Sequence, residues 1–149
     1  MHMFGGKRFE RFFRAAAGLD VDKNDIQRFQ DLILRKLHDM ILMAEATAEA
    51  NDRDLIYPQD LPITKGLQEN MHAFRRVDED IELAPILEEL AVYPPLTRSL
   101  SVDAERRLPM VVGGLGLAVA RTFVTIDPQL TNPQTSDWER IGRVFDLLL

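Results

Sequence analysis

Between Ile26 and Ala48 the apolar residues fall at Ile26, Phe29, Ile33, Leu37, Met40, Ile41, Ala44 and Ala48. Steps of three and four residues repeat without a break, which is the spacing of one face of an α-helix. Asp22, Asn24 and Asp25 offer N-caps ahead of it. The helix should reach about residue 50, roughly seven turns at 3.6 residues each. A stripe this long constrains the fold more than any other feature, because a lone helix cannot hide it and a partner of similar length must.

The rest of the chain carries the same period. Phe9, Phe12, Phe13 and Ala16 predict a short first helix, with Gly18 as its stop. After the loop "NDRDLIYPQDL", Pro62 is the expected start of a third helix with Ile63, Leu67, Met71 and Phe74 on its apolar face. The charged stretch "RRVDEDIE" reads as a connector. A short helix over 85–93 follows, with Ile86, Leu87 and Leu90 inward and Pro94-Pro95 ending it. Ser101 is positioned to cap a second long helix reaching about Ile126, with Asp103 and Glu105 in its first turn; Pro109 either kinks it or marks its start. Ser136 and Glu139 have capping-box spacing and open a last helix with Trp138, Ile141, Val144, Phe145 and Leu148 inward. No run of strict alternation calls for a strand.

At 149 residues the chain has the length of one ordinary domain. It contains no cysteine, so disulfides, thiolate metal sites and cysteine nucleophiles are excluded, which fits a reducing cytoplasm. The N-terminal stretch "MHMFGGKRF" carries no apolar core, so no leader is expected. The longest apolar run, residues 110–120, is shorter than the ~20 residues a bilayer requires. It reads as the centre of a buried helix, and no membrane partner is expected. The net charge of −6 is uneven: residues 1–76 hold 12 basic and 12 acidic side chains, whereas residues 77–149 hold 6 and 12. Any basic face must therefore be local.

The helix order, short–long–short, occurs twice. At an offset of 75 residues, Asp52, Leu55, Pro58 and Gln59 correspond to Asp127, Leu130, Pro133 and Gln134. Short–long–short with brief loops resembles the histone fold. The loop "RDLIYPQD" is similar to the second loop of archaeal and eukaryotic histones: Arg53, Ile56 and Asp60 match its arginine, isoleucine and aspartate. The resemblance implies a salt bridge between Arg53 and Asp60 that pins the loop to the third helix. The stretches "FRAAAGLDVDKND", "DRDLI", "DLPITKGLQE", "FRR" and "NPQTSDWERIGRVFDLLL" extend it further. Through them the chain resembles a small bacterial family of unknown function whose members hold two histone folds in one polypeptide. An all-α, single compact domain over 1–149 is implied, with a first histone fold at 8–77 and a second at 78–149. Their long helices would cross in an intramolecular handshake, giving a monomer with an internal pseudo-dimer. Gly113, Gly114 and Gly116, each costing ~1 kcal/mol relative to alanine in mid-helix, are expected where the long helices cross, near Leu37 to Ile41.

The histone resemblance also raises contact with DNA, and Lys7, Arg8, Arg11, Arg14, Lys23 and Arg53 are the candidate phosphate-contacting residues. Other positions oppose it. Leu55 stands where a threonine hydroxyl would touch phosphate, and Asp54 and Tyr57 occupy positions often basic in DNA-binding histones. In the second half, Pro128 and Thr135 replace Arg53 and Asp60. Nucleosome-like wrapping is not expected; solvated basic side chains and a structural Arg53–Asp60 bridge are. Catalytic and metal signals are weak. His38 and Asp39 are adjacent in a helix and do not share a face, and His72 is distant in sequence. Asp78, Glu79, Asp80 and Glu82 read as a charged linker, and "GGLG" departs from the dinucleotide pattern at Val119. No catalytic residue, cofactor or metal is expected. A non-enzymatic protein-interaction or assembly role fits the charge best, through the acidic second half, Tyr93-Pro94-Pro95 or the apolar end at Phe145 to Leu149. A nucleoid-associated DNA binder is the alternative. Both place the protein in the cytoplasm.

Overall fold

The computed structural model describes residues 6–83, 85 and 95–149, without the side chain of Asp80. Among these residues the chain is predominantly helical: α1 (Gly6–Ala17), α2 (Lys23–Ala50), α3 (Lys65–Ile81), α4 (Val102–Ile126) and α5 (Thr135–Leu148). The helix expected over 85–93 lies, beyond its first residue, outside the described residues.

Local chemistry sets most of the helix ends. Gly18 takes a positive φ of 64° and its N–H donates to the Arg14 carbonyl at 3.0 Å, closing α1. Asp22 and Asp25 form a reciprocal capping box at the start of α2, with bonds of 2.8 and 2.9 Å. Ser101 Oγ accepts from the Ala104 N–H at the start of α4. Two starts differ from expectation. Pro58 rather than Pro62 opens a turn, a single 3-10 turn at Pro58–Asp60, and α3 begins only after its Thr64 cap. The box opening α5 uses Gln134 and Asp137, two positions before Ser136 and Glu139, because the Gln134 N–H donates to Asp137.

The charged stretch expected as a connector is helical. Phe74, Val77 and Ile81 continue the apolar stripe of α3, so that helix runs on to Ile81, past the proposed boundary at residues 77 and 78. In α4, Pro109 is accommodated inside the helix. By length and apolar composition α4 would span a bilayer, yet residues 111–117 are buried by the other helices.

The core is continuous. Phe9, Phe12 and Phe13 of α1 meet Phe29 of α2 and Phe74 of α3, with ring centroids 4.8 to 6.4 Å apart. Trp138 of α5 stacks edge-on against Phe123 of α4 at 4.7 Å and donates its indole N–H to the buried Asp25 at 2.8 Å. Burial pushes the Asp25 carboxyl up, against the capping bond and the indole. Lys36, also buried, reaches Asp146 at 2.6 Å and ties α2 to α5.

Two loop contacts join the halves of the chain. Leu55–Ile56 (β1) pairs in parallel with Ser99–Leu100 (β2), in the register Leu55 to Ser99 and Ile56 to Leu100. At the other end the Asp20 N–H donates to the Thr131 carbonyl at 2.7 Å. Strands of two residues show no alternation, which is why the sequence pattern contains no sign of them.

The glycines of α4 sit at close approaches, but with different partners from those expected. A Cβ on Gly113 would run into the Phe74 ring, and one on Gly114 into Met71, backbone included. Both therefore face α3, not the α2 segment around Leu37 to Ile41. Gly116 faces Phe29 of α2, whose Cζ would lie 2.9 Å from an added Cβ, and then Phe12 of α1. The tightest backbone approach lies between α3 and α4, because α3 crosses α4 at the glycine pair.

Candidate functional site

The loop between α2 and α3 is closed by a clasp. Both terminal nitrogens of Arg53 donate to Asp60, Nη1 to Oδ2 and Nη2 to Oδ1, each at 2.5 Å. The Tyr57 N–H adds a bond of 2.8 Å to the same carboxylate. The Asp60 side chain is 1% exposed and that of Arg53 28%. The guanidinium also lies over the Tyr57 ring, 5.2 Å from its centroid. The hydrogen bonds from Arg53 hold the Asp60 carboxyl below its usual range, and the same bonds push the Arg53 guanidinium up. Across the strand pair, Arg98 donates from Nε to the Arg53 carbonyl at 3.0 Å. Glu45 accepts from the N–H groups of Arg98 and Thr97, at 2.9 and 2.8 Å, and its carboxyl is lowered chiefly by the Arg98 bond. The clasp is therefore built into the junction of the two halves.

The six candidate phosphate-contacting residues do not converge. Lys7, Arg8, Arg11 and Arg14 are exposed on α1. Arg8 donates to the Glu82 carbonyl at 3.0 Å, and Arg14 approaches Asp20 at 3.4 Å. Arg11 and Arg14 border a hollow closed by Val77 and Ile81 near the acidic end of α3. Lys23 stands exposed at the start of α2. Arg53 is held by Asp60.

A different basic surface was not expected. Between α3 and α4, beside Pro58, lies an open cleft of about 640 Å³ lined by Arg75, Arg106, Arg107 and His72, with Met71 and Met110 as apolar walls. None of the three arginines makes an ion pair with another described residue. Asp103 is the cleft's acidic member. The residues come from two helical stripes: Gln68, Met71, His72 and Arg75 on α3, and Asp103, Arg106, Arg107 and Met110 on α4. The spacing was present in the sequence, but Arg75 read as part of a connector and Arg106 and Arg107 only as flanks of an apolar run. A second groove, about 400 Å³ and mostly apolar, lies between Leu67, Leu115, Ala118, Val144 and Phe145. Near it Leu147 and Leu148 are 85% and 73% exposed. Tyr93 and Pro94 of the expected partner surface lie outside the described residues.

Known proteins share this architecture. A crystal structure of a protein from Thermus thermophilus is 51% identical and superposes with a TM-score of 0.85, covering 96% of this chain and 97% of that one. A crystal structure of a protein from Aquifex aeolicus has the same fold at 23% identity, with a TM-score of 0.84 and full coverage of both chains. An uncharacterized protein of Aquifex aeolicus (strain VF5) is 27% identical over 111 residues, which are 74% of this chain and 65% of that protein's length. The match thus spans less than two thirds of that relative. Residues 9–146 match the family described as a domain of unknown function, DUF1931. With nearly its whole length inside that match, this chain belongs to the DUF1931 family.

Proposed function

We propose that this protein is a non-enzymatic protein-interaction module built as two histone folds in one polypeptide, paired within a single cytoplasmic chain. The pairing is supported by the two loop contacts, Leu55–Ile56 with Ser99–Leu100 and Asp20 with Thr131, each of which joins the loop after one long helix to the loop before the other. Linking both halves covalently makes their association independent of concentration.

One observation carries the interaction role over a nucleic-acid role: the loop arginine that would meet a phosphate is held by a buried carboxylate. Freeing Arg53 would leave Asp60 buried and unpaired, a large cost. The basic run of α1 adjoins the acidic end of α3, and the whole chain is net negative. The second reading, contact with DNA, is favoured by the arginines of the α3–α4 cleft, which make no ion pair among the described residues. Titration of duplex DNA at low and moderate salt tests the choice. No shift at low salt is expected. A shift that weakens steeply with salt and disappears in the Arg8→Glu, Arg11→Glu, Arg14→Glu variant or in the Arg106→Glu, Arg107→Glu variant would overturn the interaction reading.

A further inference from the structure

We propose that the cleft between α3 and α4 docks an acidic peptide segment of a partner protein, one with an apolar side chain among its carboxylates. The inference rests on the interaction reading above and names the partner's chemistry. Its basis is the combination of charge and shape. Three arginines, Arg75, Arg106 and Arg107, converge on one concavity and lack carboxylate partners among the described residues. Arg75 comes from α3 and the other two from α4, so the charge is fixed by two packed helices and not by a mobile loop. The glycine pair sets the spacing: Gly113 and Gly114 let α4 lie directly on Phe74 and on Met71, which also lines the cleft. Guanidinium groups bind carboxylates through paired, charge-assisted hydrogen bonds.

The occupant's other features follow from the walls. Met71 from α3 and Met110 from α4 offer polarizable apolar surface, suited to a leucine or phenylalanine side chain. A nucleic-acid backbone would leave those walls unused. It would also bring a long array of negative charge toward a chain of net charge −6, whose acidic excess lies in the half that supplies α4. A short acidic peptide carries only the few carboxylates that the arginines neutralise. Asp103, the acidic residue of the lining, disfavours further carboxylates beside it.

The test is fluorescence anisotropy with the intact protein and three labelled probes: a short glutamate-rich peptide with a central leucine, the same peptide with glutamine for glutamate, and a duplex DNA. The glutamate peptide is expected to bind and the glutamine peptide at least about tenfold more weakly. Arg106→Glu with Arg107→Glu should abolish glutamate-peptide binding, while Arg140→Glu, an exposed arginine on α5, should leave it unchanged. Leucine to alanine in the peptide should weaken binding if the methionine walls are used. Thermal melts establish that each variant is folded, and Arg75→Gln provides a milder second variant that should weaken binding in the same direction. No binding of the glutamate peptide, or binding indifferent to these cleft variants, overturns the docking inference and leaves the interaction reading to other surfaces. Binding of DNA lost on changing Arg106 and Arg107 overturns both.

Discussion

Asp60 is the residue on which the junction depends. Its carboxylate is buried, accepts both arms of Arg53 and also holds the Tyr57 N–H. The folded state keeps its carboxyl below the ordinary value of 3.8, so the unfolded chain binds the proton more readily. The stabilisation is complete above the ordinary value and is lost as pH falls through the lowered one. Asp60→Asn is expected to reduce the melting temperature by several degrees at neutral pH and to flatten the acid limb of the stability curve, as measured by thermal melts between pH 2 and 7. Equal acid sensitivity in wild type and variant would show that the clasp contributes nothing. The clasp was implied by the resemblance of this loop to the second histone loop, whose arginine and aspartate are likewise seven residues apart. Gly18 as a stop, and Asp22 as one of three possible caps, were legible from the residues themselves, because every participant is close in sequence. The Asp25–Trp138 and Lys36–Asp146 contacts join residues more than a hundred positions apart, and no local pattern announces them.

Among the elements, α4 is the most informative. Its glycines are costly in helical propensity, and two of them are explained by the passage of α3. Gly114→Leu would drive a side chain into Met71 and its backbone, so a loss of about 1–3 kcal/mol from overpacking is expected in denaturant titrations. Gly142 of α5 is the contrast. An added Cβ there would meet only Arg35 at an ordinary 3.7 Å, and Gly142→Ala should stabilise by about 0.5–1 kcal/mol. If both variants lose stability alike, close packing is not what distinguishes the two sites. The loop before α4 depends on Glu45, which caps the N–H groups of Thr97 and Arg98. Glu45→Ala should speed hydrogen exchange at those two amides while leaving the amides of α2 protected. At this scale the sequence was legible where apolar periodicity and caps agreed, as in α2 and in the start of α4. It misled where charge outweighed period, as at Arg75, Arg76 and Glu79, which are exposed on a helix that buries Phe74 and Ile81. The basic cleft was missed for a related reason: it exists only once α3 lies across α4.

For the whole molecule, the described helices meet in a continuous aromatic core, and loop contacts tie the two halves of the chain together at two places. Four loop positions match at an offset of 75 residues, but such a match does not say which helices touch. The sequence led to a long helix crossing at the glycines, whereas Gly113 and Gly114 lie against α3, the third helix of the first half. In the proposed arrangement one chain supplies both halves of the pair. The exposed register partners Leu55 and Ser99 allow a direct measurement, since adjacent strands lie about 4.8 Å apart, within disulfide reach, and the chain has no cysteine to interfere. The Leu55→Cys, Ser99→Cys variant should be oxidised in dilute solution and its mass measured by light scattering under denaturing, non-reducing conditions. A bond formed within single chains of 17.0 kDa is expected at every protein concentration. Covalent dimers of twice that mass, increasing with concentration, would show that the halves pair between chains.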